Sequence, residues 1–230
     1  MGASSVDLKA LTIGVLPGTG NMGSAIAGHL AKAGLSIIVS SRSAEKAQKI
    51  AALIQKDIEG AGAVRGYSNE EAAAVADVII WSPSGSLDDR EALLKSLAKY
   101  LENKIIIDVT NVVTLMLDES NWGQTSATLL NQKALGVSAK WTTAFKATFW
   151  KLLVNLPDPN NPHHTLVAGD DEEAVAITTA IVEMIPGFKA IKAGGLRNSK
   201  LVEALGPWWL IEMDKLNAGE NHRSGWRFGI

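Results

Sequence analysis

Short apolar blocks alternate with amphipathic ones along most of the chain. Thr12-Ile13-Gly14-Val15-Leu16 is an apolar run of strand length. A glycine-rich turn follows, Gly18-Thr19-Gly20-Asn21-Met22-Gly23, then helical spacing from Ala25 to Ala33 that Gly34 stops. Ile37-Ile38-Val39 completes a strand–turn–helix–strand unit. From Ala44 to about Ile58, residues Ala47, Ile50, Ala51 and Ile54 share a helical face, and 63–67 reads as a short strand. Ser68 and Glu71 have capping-box spacing for a helix to about Ala76. Val78 to Trp81 and Ile105 to Ile107 are continuous apolar runs, the pattern of strands covered on both faces, with a loop at 82–86 and a helix from about Asp88 to Tyr100 between them.

The second half is less regular. Residues 115–134 carry no clear period and read as loop; Val137 to Trp141 predicts a strand and Thr142 to Leu153 a helix. Pro157 to His164 is turn-rich, Thr165 to Ala168 a strand, Asp170 the cap of a helix to Met184 with Glu173 at the capping-box position, and Lys189 to Ala193 a last strand. Arg197 to Leu216 reads as helical, interrupted at Gly206-Pro207. The alternation predicts an α/β fold: a Rossmann-type, doubly wound, mostly parallel sheet with a small C-terminal helical appendage. The expected division is a dinucleotide-binding domain over 10–140 and a C-terminal extension over 141–230.

Composition narrows the classes. The 230 residues are 47% apolar and 20% charged with a net charge of −2, so no basic field points to nucleic acid. There is no cysteine, which excludes disulfides, thiol catalysis and thiolate metal sites. No apolar run reaches the roughly 20 residues that span a bilayer, and 1–9 lacks a secretory apolar core, so the expected location is cytoplasmic. His163 and His164 are adjacent and point apart, and no metal site is predicted.

The first unit carries the chemistry. Gly18 permits the tight turn, Gly20 lets a diphosphate approach the backbone, and Gly23 lets helix and strand pack closely. The helix N-terminus offers unpaired N–H groups to the phosphates. An NAD site places Asp or Glu at the end of the second strand, where this chain has Ser40-Ser41-Arg42 and no acid before Glu45. Ser41, Arg42 and Lys46 can donate to a ribose 2′-phosphate, so the expected cofactor is NADP(H). Ligands of such sheets sit at the carboxyl ends of the strands, which puts Trp81, Ser82, Pro83, Thr110 and Asn111 around the same crevice as Thr19 to Met22.

The chain resembles the coenzyme F420-dependent NADP oxidoreductases, which pass a hydride between NADPH and a deazaflavin. The resemblance rests on Gly18 to Gly23; on Ser41-Arg42 with Lys46; on Ala168-Gly169-Asp170-Asp171-Glu172; and on Ala193-Gly194-Gly195-Leu196-Arg197-Asn198-Ser199-Lys200-Leu201-Val202-Glu203. The tail ending Trp226-Arg227-Phe228 fits as well, and the cytosolic domain of the STEAP metalloreductases is similar. The resemblance implies that Gly18, Thr19, Gly20, Asn21, Met22 and Gly23 hold the diphosphate, and that Ser41, Arg42 and Lys46 hold the 2′-phosphate. It also implies that Trp81, Ser82, Pro83, Val109 and Ala139 line the nicotinamide side. Pro17, the stretch 140–146 and the 157–164 loop depart from the family pattern, which leaves the acceptor open between a deazaflavin (coenzyme F420), a flavin and a small imine or carbonyl compound.

Hydride transfer between stacked rings asks little of side chains, and no general acid–base set with convincing spacing is present. The catalytic residue is therefore unknown; if a proton donor is needed, Lys140, Thr142, Thr143 and Lys200 are the candidates. Trp141, Trp150, Trp208 and Trp209 suit either an aromatic wall for a flat ring or a core and interface role. The short C-terminal segment predicts a homodimer that packs through the region from Arg197 onward. A non-catalytic module that senses the NADP(H) ratio is the reading outside the enzyme class.

Overall fold

A computed structural model of the chain describes residues 6–59, 61–112, 118–121, 123–218 and 225–229. Eight strands form one sheet: β1 Thr12–Leu16, β2 Ser36–Ser41, β3 Ala63–Ser68, β4 Val78–Trp81, β5 Ile105–Asp108, β6 Lys140–Thr143, β7 His163–Gly169 and β8 Phe188–Lys192. Their order is β3-β2-β1-β4-β5-β6-β7-β8, and every pairing is parallel except β6 with β7. The helices are α1 Asn21–Lys32, α2 Ala44–Asp57, α3 Asn69–Val75, α4 Leu87–Leu101, α5 Ala127–Leu135, α6 Trp150–Val154, α7 Glu172–Glu183, α8 Ser199–Glu203 and α9 Trp209–Ala218. The expected α/β architecture, doubly wound and mostly parallel with a short helical end, is the one observed. The strand order reverses between β1 and β4, which opens a crevice at their carboxyl ends.

The period of the strands explains the two-sided core. Ile13 and Val15, Ile37 and Val39, Val78 and Ile80, and Ile105 and Ile107 point into one apolar cluster with Ile26 and Leu30 of α1 and Ile177 and Ile181 of α7. Their neighbours Ile38, Ile79, Trp81 and Ile106 point the other way, onto Leu94, Leu97 and Leu101 of α4. Each such fully buried aliphatic side chain contributes roughly 1.5–3 kcal/mol. Ser68 and Ser86 close capping boxes with Glu71 and Asp89, so α3 and α4 start where polar residues can satisfy the first N–H groups.

Several expectations are corrected. The helix expected over 142–153 is confined to its end, where 150–154 form α6; Thr142 and Thr143 lie in β6, paired with Ile107 and Asp108 on one side and with Gly169 and Ala168 on the other. β-branched threonines suit a buried strand, and Phe145 adopts a positive φ of 55°, which breaks any helix there. Within the stretch read as loop, 115–117 and 122 lie outside the described residues, but 127–135 form α5, capped by Ser126. Asp171, not Asp170, caps α7; Asp170 Oδ1 instead accepts from Leu196 N–H at 2.9 Å. β7 begins at His163, inside the predicted turn-rich loop.

His163 is buried against Thr148 and its imidazole pKa is pulled down to about 4, chiefly by burial and then by Arg227 and His164. His164 Nδ1 accepts from Phe228 N–H at 2.7 Å and its ring stacks on Phe228, which fastens the tail to β7. Among the described residues no group of three or more His, Asp or Glu could hold a metal, and no helix is long and apolar enough to cross a membrane.

Candidate functional site

The glycine turn is held from three sides. Gly18 N–H donates to Ser40 O at 2.8 Å, while Ser82 donates its N–H to Leu16 O (2.8 Å) and its hydroxyl to Pro17 O (2.7 Å). A Cβ at Gly23 would meet Ser82 Oγ at 2.9 Å and Gly18 Cα at 3.1 Å, so any side chain there would force helix and strand apart. Gly20 is different: a Cβ there would meet nothing within 4 Å. It caps α1 with extended backbone and no side-chain hydrogen bond, leaving the first-turn N–H groups of α1 without a side-chain acceptor.

From this turn a cleft of about 850 Å³ runs toward the end of β2, between Ser41, Arg42 and Lys46 on one wall and Pro83, Gly85 and Leu93 on the other. Ser41 is buried, whereas Arg42 and Lys46 are exposed. No acid stands at the end of β2, but Glu70 and Asp89 line the far wall. The Asp89 carboxylate accepts from Ser86 Oγ at 2.7 Å and Ser86 N at 3.3 Å. The Ser86 hydroxyl and amide hold Asp89 below the usual carboxylate range, with a smaller contribution from Arg42. Asn69, buried against Ser40, also faces the cleft. None of the residues from α3 and α4 was legible in sequence, because their place depends on which helix faces cross the strand ends.

A second compartment of about 330 Å³ continues from the glycine turn past Ser82 and Pro83 to Val109, Thr110 and Asn111. Arg90, from the first turn of α4, reaches into it and donates Nη1–H to the Asn111 carbonyl at 3.0 Å.

Beneath Thr110 lies a charged network that the sequence reading missed. Lys146, fully buried, pairs with Glu203 at 2.9 Å and with Asp108 at 3.4 Å and donates to the Thr110 carbonyl. Asp108 also accepts from Thr110 N–H and hydroxyl, both at 2.7 Å, and from Asn131 at 3.0 Å. Glu203, in α8, accepts from Ala127 N–H at 2.8 Å and so caps α5 from across the fold. Burial pushes the Glu203 carboxyl up, opposed by Lys146. Asn111 Nδ2 donates to Lys146 O at 2.9 Å, tying the loop to the network a second time. A Cβ on Gly206 would come within 2.8 Å of Lys146 O, so the break between α8 and α9 lies directly on this segment.

The predicted residues divide cleanly by position. Gly20 to Gly23, Ser82 and Val109 line the second compartment; Ser41 and Arg42 line the first; Thr19, Pro83 and Lys46 line both. Trp81 does not line either: its side chain is wholly buried in the core beside α4, because it shares strand parity with Ile79. Ala139 packs on that same core just before β6, at the amino end of the strand and so away from the crevice. Lys140 opens β6 at that wrong end and pairs with Glu173 at 2.6 Å, which holds it protonated. Thr142 and Thr143 are fully buried, bonded to Thr178 Oγ1 (2.8 Å) and Asp108 O (3.3 Å), and neither they nor Lys200 line the cleft. Trp141 is a core residue; Trp150 and Trp209 are partly exposed away from the cleft, and the Trp208 side chain lies outside the described residues.

Residues 12–112 match the family described as NADP oxidoreductase, coenzyme F420-dependent. An F420-dependent NADP reductase of Methanothermobacter thermautotrophicus is 30% identical over 230 residues, covering 94% of this chain and 94% of that protein. One from Methanocaldococcus jannaschii is 30% identical over 205 residues, covering 86% and 90%. The crystal structure of a candidate F420-dependent NADP reductase from Arthrobacter sp. FB24 superposes with a TM-score of 0.70, covering 94% of this chain and 99% of that one at 21% identity, which shows a shared fold.

Proposed function

The chain belongs to the coenzyme F420-dependent NADP oxidoreductase family, and on that footing we propose that it moves a hydride between NADP(H) and a deazaflavin of the coenzyme F420 type. The observation that carries the reading is the open cradle at Gly20, set above an uncapped helix and continuous with Ser41, Arg42 and Lys46 along one cleft. A diphosphate needs that free space and those N–H donors, and a ribose 2′-phosphate needs hydroxyl and cationic donors where an NAD site has an acid. When bound, the dihydronicotinamide supplies the hydride: its C4–H bond breaks, a C–H bond forms on the acceptor ring, the acceptor gains two electrons, and one proton follows from water.

The protein's share is orientation. Gly23 and Ser82 fix the glycine turn against the β4 loop; Lys146 and Asp108 fix the backbone at Thr110. Both loops wall the compartment where the two rings would meet. Among the described residues no Asp, Glu, His or Tyr lines this compartment, which suits an acceptor that needs no proton in the hydride step. A flavin has the same planar shape, and we infer that it is accepted more weakly. Exposed Leu201, Leu205, Trp209, Met213 and Leu216 recur from α8 through the break to α9 and support a homodimer through this appendage; light scattering that reports a monomer refutes that part alone.

The test is anaerobic turnover of NADPH with coenzyme F420, FMN, ferric chelate and cyclic imines in parallel. Bleaching of the deazaflavin with stoichiometric NADPH loss, faster than with any other acceptor, supports the reading. Tight NADPH binding with no turnover on F420 overturns it.

A further inference from the structure

The compartment at the nicotinamide end contains one cation whose placement the fold does not otherwise require. Arg90 sits in the first turn of α4, directly after Asp88 and Asp89, where the helix dipole favours acids and disfavours a positive charge. It is half-buried, and burial pulls its guanidinium down while Asp108 and Glu203 push it back up. Among the described residues no carboxylate lies within 4 Å of it; its guanidinium donates to the Asn111 carbonyl at 3.0 Å, and its buried Nε has no partner. A guanidinium carries five N–H donors in a rigid fork, so most of this group's capacity is unused. Among the described residues, Arg90 and Lys46 are the cations that line the compartment, and Lys46 belongs to the β2 side.

We propose that Arg90 is the electrostatic residue of the reacting end: anchored on Asn111, it favours the uncharged dihydronicotinamide over its cationic oxidised form. This rests on the proposed hydride transfer. Because one donor is fixed on a backbone carbonyl, the guanidinium is oriented before any ligand arrives and needs no reorganisation to tell a neutral ring from a cationic one. A unit charge in a partly buried site shifts an equilibrium by about tenfold.

The test uses Arg90→Met and Arg90→Lys in the full chain, with affinities for NADPH and NADP⁺ read separately by tryptophan quenching and turnover read with coenzyme F420. In Arg90→Met the ratio of the NADP⁺ to the NADPH dissociation constant falls about tenfold while NADPH affinity stays within roughly twofold. Arg90→Lys retains most of the ratio. An unchanged ratio overturns the proposal. So does equal weakening of both nucleotides, which would make Arg90 a diphosphate ligand. If the wild type fails to reduce F420 the hydride-transfer reading falls, whereas the affinity ratio still decides the role of Arg90.

Discussion

Replacing Lys146 by Met removes the positive member of a buried set and leaves Asp108 and Glu203 facing each other without it. Both carboxylates are fully buried, and Lys146 lies 2.9 Å from one and 3.4 Å from the other. Breaking a buried pair from one side costs about 3–5 kcal/mol, because the remaining charge is desolvated and unpaired. Against a total stability of roughly 5–15 kcal/mol this is a large fraction, equivalent to a fall in Tm of roughly 6–20 °C for a chain of this size. The pH dependence makes the prediction specific. Burial already raises the Glu203 carboxyl, and losing Lys146 raises it further. A raised folded pKa adds stability that is fully present below the unfolded value of 4.5 and is lost as pH rises through the folded value. The deficit of Lys146→Met is therefore greatest near neutrality and shrinks toward pH 4.5. Urea unfolding of both proteins across that range measures it. Lys146→Met combined with Glu203→Gln recovers part of the loss. A deficit below about 1 kcal/mol, or one that does not vary with pH, refutes the buried network.

Arg42→Glu weakens NADPH by about a hundredfold or more and leaves NADH within a few-fold, since a donor to the 2′-phosphate becomes a repelling acid; parallel titrations decide it. Gly20→Ala meets no protein atom, so stability changes by less than about 1 kcal/mol while nucleotide affinity drops at least tenfold; equal affinity would mean the diphosphate lies elsewhere. His163, with its imidazole pKa pulled down to about 4, contributes stability that is complete above its ordinary value of 6.5 and is lost as pH falls toward 4, roughly 3 kcal/mol in all. His163→Gln flattens that slope, and an unchanged slope would rule His163 out as its source. Ser86→Ala opens the α4 capping box and costs about 1 kcal/mol in thermal unfolding.

The unit from β1 to β2 was legible because its signals are local. Strand, glycine turn and helix follow one another within a few residues, and each glycine has a separate steric reason. What strand parity and register decide was less legible. One step of parity takes Trp81 out of the crevice and into the core with Ile79. A strand shifted by a few residues carries Ala139 and Lys140 to the amino end of the sheet. Asp108, Lys146 and Glu203 meet only because α8 returns across the β5 and β6 ends. Sequence spacing holds no trace of that, although a lysine in the apolar run Trp141 to Phe145-Lys146 and an arginine in an acidic first turn both break local rules. The family resemblance was borne out over nearly the whole chain.

The central claim is direct hydride passage between two bound rings, and isotope transfer tests it most directly. NADPH carrying deuterium at the transferred C4 position is mixed anaerobically with the protein and coenzyme F420, and the reduced deazaflavin is analysed by mass. Direct transfer places one deuterium on the deazaflavin carbon, and none when NADPH made with hydrogen reacts in heavy water. Deuterium washed into solvent, or no transfer at all, would contradict it.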